Sequence, residues 1–188
     1  MIKCEIGDGL CQLWLARGDK ANALTEGMLE AIAKAATDAA EQGARALILT
    51  GEGKVFSAGA DLEGMKAGLG TSSAWGRAAA ALTAFPGPTI AALIAVPTAN
   101  FFCPVLRLGY LPQPPDPGRL TALIGPSRAR MILLAGQRIG TEVALSWGLI
   151  DRIVAPEALI DSAKALAADA LNADQSHVAA LTRLTRGK

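Results

Sequence analysis

The sequence is short of most residues that bind metals or nucleic acids. It has one histidine, His177, and three scattered cysteines, Cys4, Cys11 and Cys103, with no pair at ligand spacing, so no metal centre is expected. Three cysteines are also too few for the disulfide framework of a small secreted domain, and reduced thiols are expected. Neither sign of charge is in excess: 18 lysines and arginines against 17 aspartates and glutamates leave a net charge of +1. Aromatics make up only 4%, and no basic cluster is interleaved with them, so no nucleic acid or anionic membrane is expected as a partner. The opening residues, Met1 to Ile6, lack the charged and apolar regions of a signal peptide, which predicts a cytoplasmic protein. Formal charge is missing between Arg77 and Arg107, a stretch longer than the ~20 residues a membrane span needs. Pro86, Pro88, Pro97 and Pro104 punctuate it, and each would break the hydrogen-bond ladder of a spanning helix. There is no repeat of fixed period and no long linker.

What remains is 188 residues, 51% of them hydrophobic, enough for a real core. Residues 2–6 and 10–16 read as two strands joined at Gly7-Asp8-Gly9, which sets Cys4 and Cys11 one position out of direct opposition. Thr25 suits the N-cap of a helix in which Met28, Ile32, Ala35 and Ala39 recur at helical spacing and which Gly43 ends. Residues 72–84 predict an alanine-rich helix and residues 89–93 a buried strand. Pro126 opens a helix closed by Gly136, Thr141 caps the next, Pro156 starts one running to about Leu171, and Asp174 caps the last. Trp75 and Trp147 fall at helical positions that suit core or subunit contacts, and His177 is expected at the surface.

One stretch, Arg45 to Leu62, organises the rest. Ala46, Leu47, Ile48 and Leu49 form an unbroken apolar run, the pattern of a strand buried on both faces. Gly51 and Gly53 end it, and Val55 and Phe56 are expected to dip back toward the core. Ser57, Ala58, Gly59 and Ala60 then make a shelf of small residues, and Asp61 stands where a helix would be capped. Small side chains leave backbone N–H groups open, and a helix start adds partial positive charge. The combination is a place to hold an oxygen that becomes negative.

Phe56 to Leu62 resembles the signature of the crotonase superfamily, the enoyl-CoA hydratase/isomerase family. Arg17 to Leu24 resembles the family's first acyl-CoA-binding segment, with Gly18 where a proline is common. Leu133 to Ile150 resembles its later helix-turn-helix, and Phe101 to Pro112 the lead into an active-site loop, here Gln113 to Gly118. The resemblance implies an α/β fold, a crotonase-like spiral of ββα turns over residues 1–155 followed by a helical C-terminal segment over 156–188. It also implies a homo-oligomer, usually a trimer, and a coenzyme A thioester as substrate with no separate cofactor. The Ala60 N–H would be one of two oxyanion-hole donors. Arg17, Lys20, Ala21, Ala23, Ser57, Ala58, Gly59, Asp61 and Leu62 would line the acyl-CoA site.

Two departures from the family pattern bear on activity. Ile90 to Leu93 runs straight into Ile94 to Asn100, omitting the segment that carries the second donor and its helix, so the junction lies near Leu93–Ile94. One extended segment from Thr89 to Val96 with a bend at Pro97 is expected there. Val105 stands where family hydratases carry a glutamate, and their other glutamate falls in the omitted segment. Asp116 is the only carboxylate of the active-site loop, either a replacement base or a turn residue between prolines. The expected function is acyl-CoA binding with thioester-enolate stabilisation, isomerisation rather than hydration. The alternative is a catalytically inactive remnant serving as an acyl-CoA-binding or assembly subunit. By the same resemblance, Leu181 to Lys188 stops short of the family's usual end.

Overall fold

In the computed structural model, which describes residues 1–91 and 93–185, the chain opens with a hairpin. Strands β1 (Ile2–Gly7) and β2 (Leu10–Leu15) pair antiparallel with Gly7 opposite Leu10. The turn is therefore two residues, Asp8 and Gly9, with φ of 52° and 81°. Both are positive, as a turn matching the strands' right-handed twist requires. The three-residue turn read from the sequence is corrected by one position: Cys4 faces Leu13 and Cys11 faces Ile6, so the two thiols lie on a diagonal.

Helix α1 (Glu26–Glu41) carries the chain back to the start of β3 (Ala46–Gly51), which lies parallel to β2. Thr25 caps it as expected, its hydroxyl accepting the Met28 N–H at 3.3 Å. Two more helices, α2 (Leu62–Lys66) and α3 (Ala74–Ala84), lead to β4 (Thr89–Ala91), parallel to β3. The sheet order is β1-β2-β3-β4, and the run Ala46 to Leu49 is buried, consistent with its lack of alternation. Met28, Leu29, Ile32, Ala36 and Ala39 of α1 pack with Cys11, Leu13 and Leu15 of β2 and Leu47 and Leu49 of β3. Ala74 and Ala78 of α3 join the same cluster, and Trp75 packs at its edge with its indole N–H donating to the Leu69 carbonyl at 3.0 Å.

The chain folds as two compact units, Met1–Ala92 with Asp161–Lys188, and Leu93–Ile160. In the second, β5 (Ile94–Ala95) pairs parallel with β8 (Arg152–Ile153), and β6 (Asn100–Phe101) antiparallel with β7 (Ile139–Gly140). Helices α4 (Asp116–Ile124), α5 (Pro126–Leu133) and α6 (Thr141–Trp147) supply most of its core, in which Ile124, Ala129, Ile132 and Ala144 pack with Ala95, Ile139 and Ile150. Trp147 packs against that cluster under the Arg128 guanidinium. Thr141 is not the cap of α6: Gly140 takes that place, and the buried Thr141 hydroxyl donates to the Pro97 carbonyl at 2.9 Å. Helices α7 (Leu159–Asn172) and α8 (Gln175–Thr185) end the chain, with Asp174 capping α8 through the Ser176 N–H at 2.8 Å. The fold is α/β with a helical C-terminal region, as expected. No helix of the described residues is long and apolar enough to cross a membrane.

At the junction, Thr89–Ala91 and Ile94–Ala95 are both extended, but they are not one strand. Ala92 lies outside the described residues. The chain bends at Leu93, whose carbonyl accepts the N–H groups of Asp151 at 2.8 Å and Arg152 at 3.3 Å. The physical reason for the division is hydrogen-bond satisfaction: β4 is completed by β3, whereas β5 is completed by β8. The bend at Pro97 is present as a turn, closed by the Ala99 N–H on the Val96 carbonyl at 3.0 Å. No helix lies between Leu93 and Phe101 among the described residues.

Candidate functional site

The site is built where β3 ends. A Cβ on Gly51 would stand 2.5 Å from the Phe56 carbonyl oxygen, 2.7 Å from that of Val55 and 2.8 Å from Asn22 Nδ2. Only a residue without a side chain lets the returning backbone come this close. It is the carbonyls that turn inward here. The side chains of Val55 and Phe56 are exposed, at 42% and 39%, which corrects the expectation that they return to the core.

Asn22 is the fully buried group that the Val55 carbonyl meets. Its Nδ2 donates to the carbonyls of Glu52 at 2.9 Å and Val55 at 2.7 Å, and its Oδ1 accepts the Arg17 N–H at 2.8 Å. Sequence reading passed over Asn22 while naming the alanines on either side. One signal was available: asparagine tolerates the left-handed backbone region better than other non-glycine residues, and Asn22 sits there with φ 55°, after Ala21 at 48°.

The shelf is tied to the first segment by main-chain bonds. The Ala58 N–H donates to the Ala21 carbonyl at 2.9 Å, the Leu24 N–H to the Gly59 carbonyl at 2.7 Å, and the Asp61 N–H to the Leu24 carbonyl at 2.9 Å. The Ser57 hydroxyl donates to the Asn22 carbonyl at 3.0 Å and accepts the Gly59 N–H at 3.1 Å. From Ala58 to Asp61, three of the four N–H groups thus have internal acceptors. The Ala60 N–H makes no hydrogen bond among the described residues. Because Ala60 bridges Leu24 in parallel fashion, its own N–H points away from that segment. The left-handed Gly59, φ 87°, produces the turn that exposes it.

Asp61 acts twice. It caps α2, Oδ2 accepting the Gly64 N–H at 3.0 Å, and Oδ1 pairs with Arg17 Nη1 at 2.7 Å. The Gly64 N–H first, and the Arg17 guanidinium second, hold its carboxyl below the usual aspartate range. The same Arg17 nitrogen also donates to the Ala23 carbonyl at 2.9 Å, so this guanidinium faces into the scaffold. Lys20, in the short turn Gly18–Lys20, is exposed and makes no ion pair among the described residues. Leu62 opens α2 with its side chain 64% exposed. Arg17, Ala21, Ala23, Ser57, Ala58, Gly59, Ala60 and Asp61 are thus brought together in the first unit. His177 is exposed, as expected, and so is Glu63.

Asp116 belongs to the second unit and is not a loop residue. The loop expected over Gln113 to Gly118 gives way to α4 at Asp116, because prolines at the cap and in the first turn have no N–H to lose there. Burial raises the Asp116 carboxyl, and Arg119, 3.7 Å away, partly offsets this. No group of three or more metal-binding side chains occurs among the described residues.

A sequence model described as enoyl-CoA hydratase/isomerase matches the chain in two pieces, residues 5–93 and 89–187, that meet at the junction. "Probable enoyl-CoA hydratase echA8" of Mycobacterium leprae is 35% identical over 179 residues, 81% of this chain and 68% of its own length. Carnitinyl-CoA dehydratase of Citrobacter koseri is 32% identical over 165 residues, 76% of this chain and 63% of its own. Among solved structures, enoyl-CoA hydratase EchA8_6 of Mycobacterium marinum superposes with a TM-score of 0.85 at 28% identity, covering 97% of both chains. An enoyl-CoA hydratase/isomerase of Pseudoalteromonas atlantica T6c gives 0.90 at 23% identity over 99% of this chain and 82% of that one, a likeness of fold.

Proposed function

Since the chain belongs to the enoyl-CoA hydratase/isomerase family and has its crotonase-like fold, we propose that it binds an acyl-CoA thioester and stabilises the thioester enolate at the Ala60 N–H. One observation carries this reading: the Ala60 N–H has no internal acceptor among the described residues and, through the parallel bridge of Ala60 to Leu24, points away from the first segment. A donor held rigidly toward a developing oxyanion contributes about 2.7–4 kcal/mol to transition-state stabilisation. Lys20, exposed and without an ion pair among the described residues, meets the coenzyme's phosphates, while Arg17, with Nη1 engaged by Asp61, frames the site from within. Isomerisation is favoured over hydration because Val105 replaces a hydratase glutamate. A trimer in the cytoplasm completes the proposal.

Calorimetry with crotonyl-CoA tests it. The wild-type chain is expected to bind, and Ala60→Pro, which lacks the N–H, to lose affinity and any turnover while keeping its circular dichroism. Equal affinity in a folded Ala60→Pro variant would remove the shelf from the site. A second reading has its own support. The family match breaks at residues 89–93, where the second donor's segment would lie, and this favours a non-catalytic acyl-CoA-binding or assembly subunit. Binding without turnover across a panel of enoyl-CoA thioesters would select it.

A further inference from the structure

We infer that Asn22 is a positioning residue for the Ala60 N–H, acting through Ser57 and the backbone turn of residues 52–59 rather than by touching the ligand. This rests on the thioester reading of the shelf and adds what sets the donor's direction.

Asn22 is wholly buried, so its amide is out of reach of any ligand. All its side-chain bonds end on main chain: the Arg17 N–H, and the Glu52 and Val55 carbonyls. It therefore clamps the acyl-CoA-binding segment to the turn that leaves β3. Its carbonyl extends the clamp outward. The Ser57 hydroxyl donates to it and accepts the Gly59 N–H, so the link runs from Asn22 to the residue before the donor.

The last link is a single peptide unit. The Gly59 carbonyl and the Ala60 N–H belong to the same planar trans group and point in opposite directions. With the carbonyl held by the Leu24 N–H at 2.7 Å, the N–H is aimed outward. A hydrogen bond at the carbonyl end also polarises the peptide and strengthens its N–H as a donor. Releasing the turn would let this plane rotate, and small misplacements of reacting groups are costly: about 1 Å forfeits ~10²-fold.

The test uses butyryl-CoA with a ¹³C-labelled thioester carbonyl, read by infrared difference spectroscopy at saturation, with calorimetry and thermal melting alongside. A merely structural role would lower the melting temperature without moving the bound carbonyl frequency. The wild-type chain is expected to shift the carbonyl band to lower frequency. Asn22→Gly keeps the left-handed backbone but removes the clamp. It is expected to lose most of that shift and to bind about tenfold more weakly. Ser57→Ala, which leaves Asn22 intact, is expected to lose part of the shift at unchanged melting temperature, and it carries the test if Asn22→Gly does not fold. A full wild-type shift in Ser57→Ala and in any folded Asn22→Gly would overturn the inference while leaving the thioester reading in place. Absence of binding by the wild-type chain would overturn both.

Discussion

At the scale of residues, Gly51 does what no apolar pattern announces. Gly51 is required by contact: a methyl there would meet two carbonyl oxygens and an amide nitrogen at 2.5–2.8 Å. Gly51→Ala is therefore expected to destabilise the chain by about 1–3 kcal/mol, the usual range for overpacking. A lower denaturation midpoint at constant slope would show it. The thiols make a second prediction. Cys11 is fully buried, and burial, reinforced by the neighbouring Cys4, pushes its pKa up to about 12. Cys103 is half-buried and also raised, chiefly by burial, while Cys4 is exposed. Because the thiolate is the reactive form, iodoacetamide at about pH 8 should modify Cys4 first, Cys103 more slowly, and Cys11 only on unfolding. Peptide mass spectrometry over a time course measures the order.

At the scale of elements, helix ends are where local chemistry translates directly into stability. Thr25→Ala removes the acceptor for the Met28 N–H at the start of α1 and should cost about 1 kcal/mol. Asp61 and Asp174 cap α2 and α8, and both carboxyls are held below their ordinary range, Asp61 first by the Gly64 N–H and Asp174 first by the Ser176 hydroxyl. Depressed carboxylates bind protons more readily in the unfolded chain than in the folded one. Their contribution is present above the unfolded value near pH 4 and is lost as pH falls through the lower folded values. Denaturation midpoints taken from about pH 6 down to about pH 2.5 should fall across that window, and Asp61→Asn should flatten part of the fall. Thr141 shows the limit of such reading. Its sequence context suits a cap, yet its hydroxyl serves the Pro97 carbonyl, 44 residues away in sequence.

At the scale of the whole molecule, the proposed chemistry turns on the junction. By the family resemblance, Val105 is expected where hydratases carry one glutamate, and their other glutamate is expected in the segment omitted there. General acid–base groups are worth about 10²–10⁴-fold each. Crotonyl-CoA hydration should therefore proceed far below the ~10 s⁻¹ typical of enzymes. A steady-state assay following loss of the conjugated thioester absorbance decides this, and a kcat at or above that value would mean another group had replaced the glutamates.

The sequence by itself determined the hairpin, the buried run Ala46 to Leu49, the α1 cap and the small-residue shelf, while the α/β class came from the family resemblance. Each depends on periodicity, turn chemistry or capping, which act over a few residues. Register at Asp8–Gly9, the inward carbonyls of Val55 and Phe56, and the split between β4 and β5 were decided only by tertiary structure. So was Asn22, whose partners lie up to 35 residues away. The reason is common to all of them. A buried backbone group must find an acceptor or donor wherever the fold brings one, and composition along the chain does not record which distant group that is.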